Sequence, residues 1–159
     1  MRTDPRNYSA AYGHAQLRFL GGEDRLEEAV EWLVKTVRIH PGHIDALNDL
    51  GAAYIRLGKY RDAARVLRDA TNREERADLH YNLGLALFFL NDQPGARMHF
   101  SRALNKGSPG VRTGEVYYYL VASMIREGDK QQASELLARQ SNTIPPKLRG
   151  ALESALNRM

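Results

Sequence analysis

The sequence predicts an all-α protein built from stacked helix–turn–helix hairpins, and three observations predict it. Apolar residues recur at three- and four-residue spacing, and no stretch alternates in the manner of a β-strand. Turn signals of two kinds alternate along the chain, which pairs the helices into hairpins. A sequence segment with a similar pattern of small and apolar residues also recurs at a spacing of 33 and then 37 residues. Such a period is typical of stacked supersecondary units, so the predicted fold is an α-solenoid.

The turns define the predicted helices. One kind of turn falls at Gly or Asn, residues that tolerate the left-handed conformation at a helix C-terminus: Gly21-Gly22, Gly58, Asn91-Asp92 and Gly128-Asp129. The other kind falls at Pro41-Gly42, 73–75, 107–110 and Pro145-Pro146. The predicted helices are therefore 8–20 paired with 24–38, 44–57 with 60–71, 77–90 with 94–106, and 114–127 with 130–141, followed by 147–158.

Three of the predicted hairpins align at the position where their two helices would cross. The first helix has Gly51, Gly84 or the bulkier Val121 there, and the second helix has Ala63, Ala96 or Ala133. Small side chains let helix backbones approach closely, while large apolar neighbours fill the gaps that remain. A single hairpin cannot bury its apolar face alone, so each unit is expected to pack on the next.

This pattern resembles the tetratricopeptide repeat, a helix–turn–helix unit of about 34 residues. The second repeat matches at Leu47, Leu50, Gly51, Tyr54, Ala63, Leu67 and Ala70. The third matches at His80, Leu83, Gly84, Leu87, Ala96, Phe100 and Ala103. The fourth matches at Tyr117, Leu120, Met124, Ala133, Leu137 and Pro145, and departs at Val121 and Gln140. The first is the weakest, with Leu17, Leu20, Ala29, Leu33 and Pro41.

The resemblance implies one tetratricopeptide domain over 1–159, wound as a right-handed superhelix. Its repeats would span about 10–43, 44–76, 77–113 and 114–146. The last helix, 147–158, would cap the stack, because its polar outer face suits a terminal position.

Composition narrows the class of function. The chain has 159 residues and a formal net charge of +4, with a pI near 9.5. Arginines outnumber lysines, and acids are interspersed among them, which favours a solvated surface over a nucleic-acid interface. No run of 18 apolar residues and no secretory signal is found, so we expect a cytoplasmic protein without a membrane span. A processed fragment could instead be periplasmic or associated with the cell envelope.

Motifs for catalysis or metal binding are absent from the sequence. It contains no phosphate loop, nucleophile elbow or metal-binding His-Glu motif, and no cysteine. His40 and His43 could form half a metal site, but no third ligand is suggested nearby. His80 takes the place of a core aromatic residue, so we expect it to be packed. The sequence therefore predicts no enzyme, no cofactor and no metal.

The resemblance also implies where a partner would bind, because the first helix of each hairpin lines the concave face in this family. The residues carried over to that groove are Arg18, Asn48, Ile55, Arg56, Tyr81, Asn82, Leu85, Phe88, Phe89, Tyr118, Tyr119 and Arg126. Tyrosines suit interfaces because each has an apolar body and a polar tip. An acidic row, Asp45, Asp78 and Glu115, would follow one edge, although helix macrodipoles alone could explain acids in first turns.

We therefore expect a non-enzymatic adaptor, assembly scaffold or small chaperone that holds a protein or peptide segment in the groove. The Arg-rich, Cys-free composition suggests a bacterial source, and small bacterial members of the family include secretion-system chaperones and envelope assembly factors. Two alternatives stay open. One is a scaffold that assembles into homo-oligomers through its repeat ends. The other is nucleic-acid binding on the convex side, through Arg61, Arg65, Arg68, Arg97, Arg102 and Lys106.

Overall fold

The computed structural model describes residues 5–19, 25–107 and 112–159, and these form nine α-helices and no strand. The helices are α1 (Pro5–Phe19), α2 (Leu26–Ile39), α3 (Ile44–Arg56), α4 (Tyr60–Arg73), α5 (Ala77–Phe89), α6 (Gln93–Lys106), α7 (Thr113–Arg126), α8 (Lys130–Arg139) and α9 (Pro146–Leu156). Every predicted helix is present, with boundaries within three residues of those expected. The turn expected at Gly21-Gly22 and most of the one at 107–110 lie outside the described residues.

Three of the hairpin turns share one backbone conformation. Gly58, Asn91 and Gly128 have φ values of 71°, 65° and 81°, in the left-handed region. The amide after each of them reaches back to a carbonyl five residues earlier, as in Asp92 N to Leu87 O at 2.9 Å. These bonds satisfy carbonyls that the helix end would leave exposed. The predicted role of glycine and asparagine at these turns is confirmed.

Side-chain caps begin several of the helices. The carboxylate of Asp92 accepts from Gly95 N at the start of α6, and that of Asp129 accepts from Gln132 N at the start of α8, both at 3.1 Å. His43 caps α3 through a ring nitrogen, Nδ1, which accepts from Ala46 N at 3.2 Å. Each cap satisfies an amide at the start of a helix that has no intrahelical acceptor.

The chain divides into two compact units, of which the first spans Met1–Glu75. Within it α1 packs on α2, α2 on α3 and α3 on α4. The largest fully buried side chains of this unit are Leu26, Leu33 and Leu67. At the α3–α4 crossing, a Cβ built on Gly51 would overlap the Leu67 side chain. The small residue expected at this crossing is therefore required by packing.

The second unit spans Arg76–Met159. Here α5 pairs with α6 and α7 with α8, while α9 packs against both α7 and α8. A Cβ on Gly84 would lie 2.7 Å from the ring of Phe100, which repeats the geometry of the first unit. Leu152 and Leu156 of α9 are buried. The single domain and the right-handed superhelix stay predictions.

His80 is completely buried, as predicted for the core position that it occupies. Its Nδ1 lies 3.0 Å from Nδ1 of His99, which is also buried, so one imidazole donates to the other across the α5–α6 pair. The sequence pattern located His80 but not this partner, because His99 precedes the recognisable aromatic position, Phe100.

None of the helices in the described part of the chain is both long enough and apolar enough to cross a membrane.

Candidate functional site

An aromatic cluster lies on α5 and α7 of the second unit. The rings of Phe88 and Tyr119 meet edge to face with centroids 5.2 Å apart, and Phe89 meets Phe88 in the same way at 5.4 Å. Tyr118 lies edge-on to Tyr119 at 5.0 Å. Tyr119 also stacks on the core ring of Phe100 at 5.8 Å. The core thus positions an aromatic surface, because edge-to-face and stacked pairs restrict ring orientation.

Two adjacent residues at the end of α5 have opposite environments. Phe88 is buried, whereas Phe89 is 41% exposed and is one of few large apolar side chains with this exposure among the described residues. Successive residues on a helix point about 100° apart, so one ring supports the cluster while the other faces outward. Tyr118 and Tyr119 are half-buried.

A cavity of about 400 Å³ opens beside this cluster. Its walls come from α5, α7 and α9, and its lining residues are Phe88, Phe89, Tyr118, Tyr119, Ala122, Ile125, Arg126, Ala151, Leu152 and Ala155. The volume lies within the range of about 300–1,000 Å³ that is typical of ligand pockets. The contribution of α9 was not predicted, because the sequence pattern identified that helix only as a cap.

Arg126 is the charged member of this lining. Its Cζ lies 3.7 Å from the centroid of the Phe88 ring, and its Nη1 donates to the Phe88 carbonyl oxygen at 3.0 Å. A guanidinium over an aromatic face is attracted by the ring quadrupole. The arrangement fixes a positive charge at the edge of an apolar cavity.

Tyr81 is not among the residues that line the cavity. Its hydroxyl donates to Oε2 of Glu115 at 3.0 Å and so joins α5 to α7. Burial and, secondarily, the neighbouring Glu115 carboxylate raise the pKa of Tyr81 above its ordinary value. Arg112 also donates to Glu115, at 2.9 Å. Tyr81 thus contributes to the packing of the second unit.

Asp78, a second acid of the predicted row, also forms local contacts. Asp78 forms an ion pair with Arg76 at 2.7 Å, and one of its oxygens accepts from Leu79 N. These contacts favour the explanation that the acids stabilise helix starts.

Eight of the twelve residues predicted to line the groove belong to the second unit, and five of these line the cavity: Phe88, Phe89, Tyr118, Tyr119 and Arg126. Leu85 is buried, and Asn82 is half-buried. The remaining four, Arg18, Asn48, Ile55 and Arg56, belong to the first unit.

The predicted groove residues of the first unit differ in their contacts and exposure. Arg18 forms an ion pair with Glu28 at 2.8 Å and lies near the Trp32 ring at 5.8 Å. Asn48 and Ile55 are half-buried, and Arg56 is exposed. Tyr12, which the sequence did not single out, donates to Asp49 at 2.8 Å. Burial, followed by the Asp49 hydrogen bond, raises the pKa of Tyr12.

Some residues of the other candidate sites form contacts within the chain. His43 uses Nδ1 for the cap of α3, and the described residues contain no cluster of three or more side chains suited to a metal ion. Of the basic residues in second helices, Arg97 is bound to Glu127 at 2.6 Å and to Gln132 at 3.0 Å. Arg65 lies 3.8 Å from Asp62.

The paired helices, left-handed turns and small crossing residues define a helical-repeat protein. Residues 48–111 match the family model for the tetratricopeptide repeat. This part of the chain therefore contains tetratricopeptide repeats, as the resemblance of its sequence indicated.

Solved structures share this fold. YrrB, described as a tetratricopeptide-repeat protein with an unusual peptide-binding site, superposes with a TM-score of 0.70 at 22% identity, over 84% of this chain and 66% of that one. MamA from Desulfovibrio magneticus RS-1, from residue 41 to its end, gives a TM-score of 0.71 at 21% identity, over 89% and 76%. At these identities the likeness shows the fold alone.

Among curated proteins, the aspartyl/asparaginyl beta-hydroxylases of Mus musculus and Homo sapiens are each 28% identical over 102 residues. That match covers 62% of this chain but only 14% of the mouse protein and 13% of the human one. The chain thus spans a small part of the length of these relatives.

Proposed function

We propose that this chain is a non-enzymatic protein-interaction module that binds a segment of a partner protein on the first helices of its hairpins. The tetratricopeptide domain is in general a protein–protein interaction module, and adaptor, assembly scaffold and small chaperone are the roles that fit. The observation that carries the proposal is the aromatic surface of α5 and α7. Phe89 is 41% exposed there, beside a cavity of about 400 Å³.

Physical chemistry supports this surface as the binding site. Aromatic side chains bury large areas and are enriched among the residues that dominate interface energies. Phe88 and Tyr119 hold the surface in place through contacts with one another and with the core. A preorganised surface loses less side-chain entropy when a partner binds. The peptide-binding site named for YrrB is consistent with such a role on this fold.

In the first unit we propose Asn48, Ile55, Arg18 and Arg56 as residues that contact the partner, by their repeat positions on α1 and α3. Amide side chains both donate and accept, so Asn48 could hold a peptide backbone without reading its sequence. The proposed compartment is the cytoplasm, with the periplasm or cell envelope as the alternative for a processed chain.

The test is affinity capture from the native source with the wild-type chain, a Phe89→Ala/Tyr118→Ala variant and a Met98→Ala control. Met98 is 47% exposed and lies on α6, outside the cavity lining, so its truncation removes a comparable exposed apolar side chain elsewhere in the same unit. The proposal expects a partner that is retained by the wild-type chain and the control but lost by the double variant. A partner lost only with changes at Arg61 and Arg65 would place the functional surface on the second helices.

The two alternative functions give distinct results in simple measurements. Self-assembly through the repeat ends would appear as a concentration-dependent mass in sedimentation. Nucleic-acid binding would show a steep dependence of affinity on salt, because phosphate contacts release counterions. Either result without capture of a protein partner would contradict the proposed function.

A further inference from the structure

We infer that the cavity between α5, α7 and α9 is a specificity pocket for a large apolar side chain that lies next to a carboxylate in the partner segment. This inference deepens the proposed function and rests on it. It assigns the partner a chemistry, acidic and aromatic, and it gives α9 a role in recognition as well as in capping.

The walls of the cavity select an apolar side chain. Phe88, Phe89 and Tyr119 supply ring faces and edges on one side. An inserted aromatic ring would extend their edge-to-face contacts. On the opposite side α9 presents Ala151 and Ala155, and these small side chains leave the space open.

The charge at the cavity determines which group of the partner should lie next to the inserted apolar side chain. Among its lining residues Arg126 carries the only charge, and no carboxylate is present to neutralise it there. Glu127 follows Arg126 in the chain, but its carboxylate is bound by Arg97 at 2.6 Å, and Glu115 lies in the first turn of α7. Glu115 is moreover bound by Tyr81 and Arg112. An anionic group of the partner is therefore the one that complements the charge of Arg126 at the edge of the cavity.

Arg126 is positioned to receive that anion. The ring of Phe88 lies under its guanidinium, and Nη1 is held by the Phe88 carbonyl oxygen. A guanidinium has five N–H donors in a rigid fork, so this one contact leaves donors for a carboxylate. Hydrogen bonds between guanidinium and carboxylate are stronger than neutral ones, and they favour acidic over basic partner residues.

The experiment uses three probes: acetyl-Glu-Trp-Glu-amide, acetyl-Lys-Trp-Lys-amide and acetyl-Glu-Ala-Glu-amide. Each is titrated into the ¹⁵N-labelled full chain, and amide chemical shifts report both the affinity and the location of binding. The acidic tryptophan peptide should shift resonances of α7 and α9 and bind about tenfold more tightly than the lysine peptide. The alanine peptide should bind too weakly to measure.

Variants separate the two parts of the inference. Ala155→Trp fills the cavity and should weaken the acidic tryptophan peptide at least about tenfold. Ala151→Trp is a second filling variant, should the first fail to fold. Asn157→Trp adds the same side chain at an exposed position outside the lining and should leave binding unchanged. Arg126→Gln should equalise the acidic and basic peptides, and Arg126→Glu should reverse their order.

Several outcomes would overturn the inference. Equal affinity of the wild-type chain for the acidic and lysine peptides would exclude selection by Arg126. Unchanged binding in folded Ala155→Trp and Ala151→Trp would exclude the cavity. A wild-type dimer that Ala155→Trp dissociates would make the occupant a second copy of this chain. If the peptides do not bind but capture of a protein partner still depends on Phe89, the proposed function stands and this inference is wrong. If the peptides bind but no protein partner is captured, the proposed function alone is contradicted.

Discussion

Arg126 in the last turn of α7 lies over the ring of Phe88 in the last turn of α5, with 3.7 Å between Cζ and the ring centroid. The same guanidinium donates to the carbonyl oxygen of Phe88 at 3.0 Å. This carbonyl, in the last turn of α5, also accepts from Asn91 N at 3.2 Å and from Gln93 Nε2 at 3.3 Å. The Arg126 side chain thus joins the last turn of α7 to that of α5, contacts the ring that supports the aromatic cluster and places a positive charge at the cavity.

Gly84→Ala should destabilise the second unit. The added methyl would lie 2.7 Å from the Phe100 ring, which is completely buried. Overpacking costs about 1–3 kcal/mol, and the better helix propensity of alanine offsets up to about 1 kcal/mol of it. We expect a lower free energy of unfolding in urea. Gly150→Ala on α9 is the matched control, because nothing lies within 4 Å of its Cβ position, and it should be neutral or stabilising. A fully stable Gly84→Ala would mean that the helix crossing is looser than described.

Tyr81→Phe should cost about 1 kcal/mol at neutral pH, since a hydrogen bond to a carboxylate is lost while Arg112 still binds Glu115. The variant should also change the response to alkali. The pKa of Tyr81 is raised in the folded chain, so the fold favours its neutral form. That stabilisation is complete below the unfolded pKa, about 10, and is lost as the pH rises above it.

The measurement is the free energy of unfolding between about pH 8 and pH 11 for the wild-type chain and Tyr81→Phe. The wild-type curve should fall more steeply above about pH 10, and the two should converge there. Parallel curves over the whole range would show that Tyr81 is not selectively stabilised in its neutral form.

Deletion of residues 147–159 should lower the melting temperature and increase self-association. Leu152 and Leu156 are buried, and their loss would expose the surfaces of α7 and α8 that α9 covers. Leu152→Ala removes one of these side chains while keeping the helix and should cost about 2–5 kcal/mol. Thermal melts and sedimentation follow both effects. A deleted chain as stable and as monomeric as the full one would show that α9 is not a cap.

The helical framework was predictable because it depends on local signals. Gly58 and Gly128 end helices in the left-handed conformation, and alanines mark the crossings, so the position of each hairpin can be read from the sequence. The repeat phase then identified buried residues, including Phe100 and His80. Such a phase works because each repeat makes the same contacts with its neighbour.

The candidate site was only partly predictable, because it depends on contacts between side chains that the repeat phase does not specify. The phase assigned Tyr81 and Tyr118 to one surface but could not show that Tyr81 is bonded to Glu115 whereas Tyr118 lines the cavity. It placed Phe88 and Phe89 together, although one is buried and the other exposed. The repeat phase gave no position for Ala151 and Ala155, since the last helix follows no repeat pattern.

Binding to the partner captured from the native source tests the central claim, that the α5–α7 surface is the protein-binding surface. Isothermal calorimetry with the purified partner would compare the wild-type chain, Phe89→Ala, Tyr118→Ala and Met98→Ala, with melting curves to confirm that each is folded. Phe89→Ala and Tyr118→Ala should each weaken binding by about 1–3 kcal/mol, while Met98→Ala should leave it unchanged. Unchanged binding in both folded aromatic variants, or a larger loss in Met98→Ala, would contradict the claim.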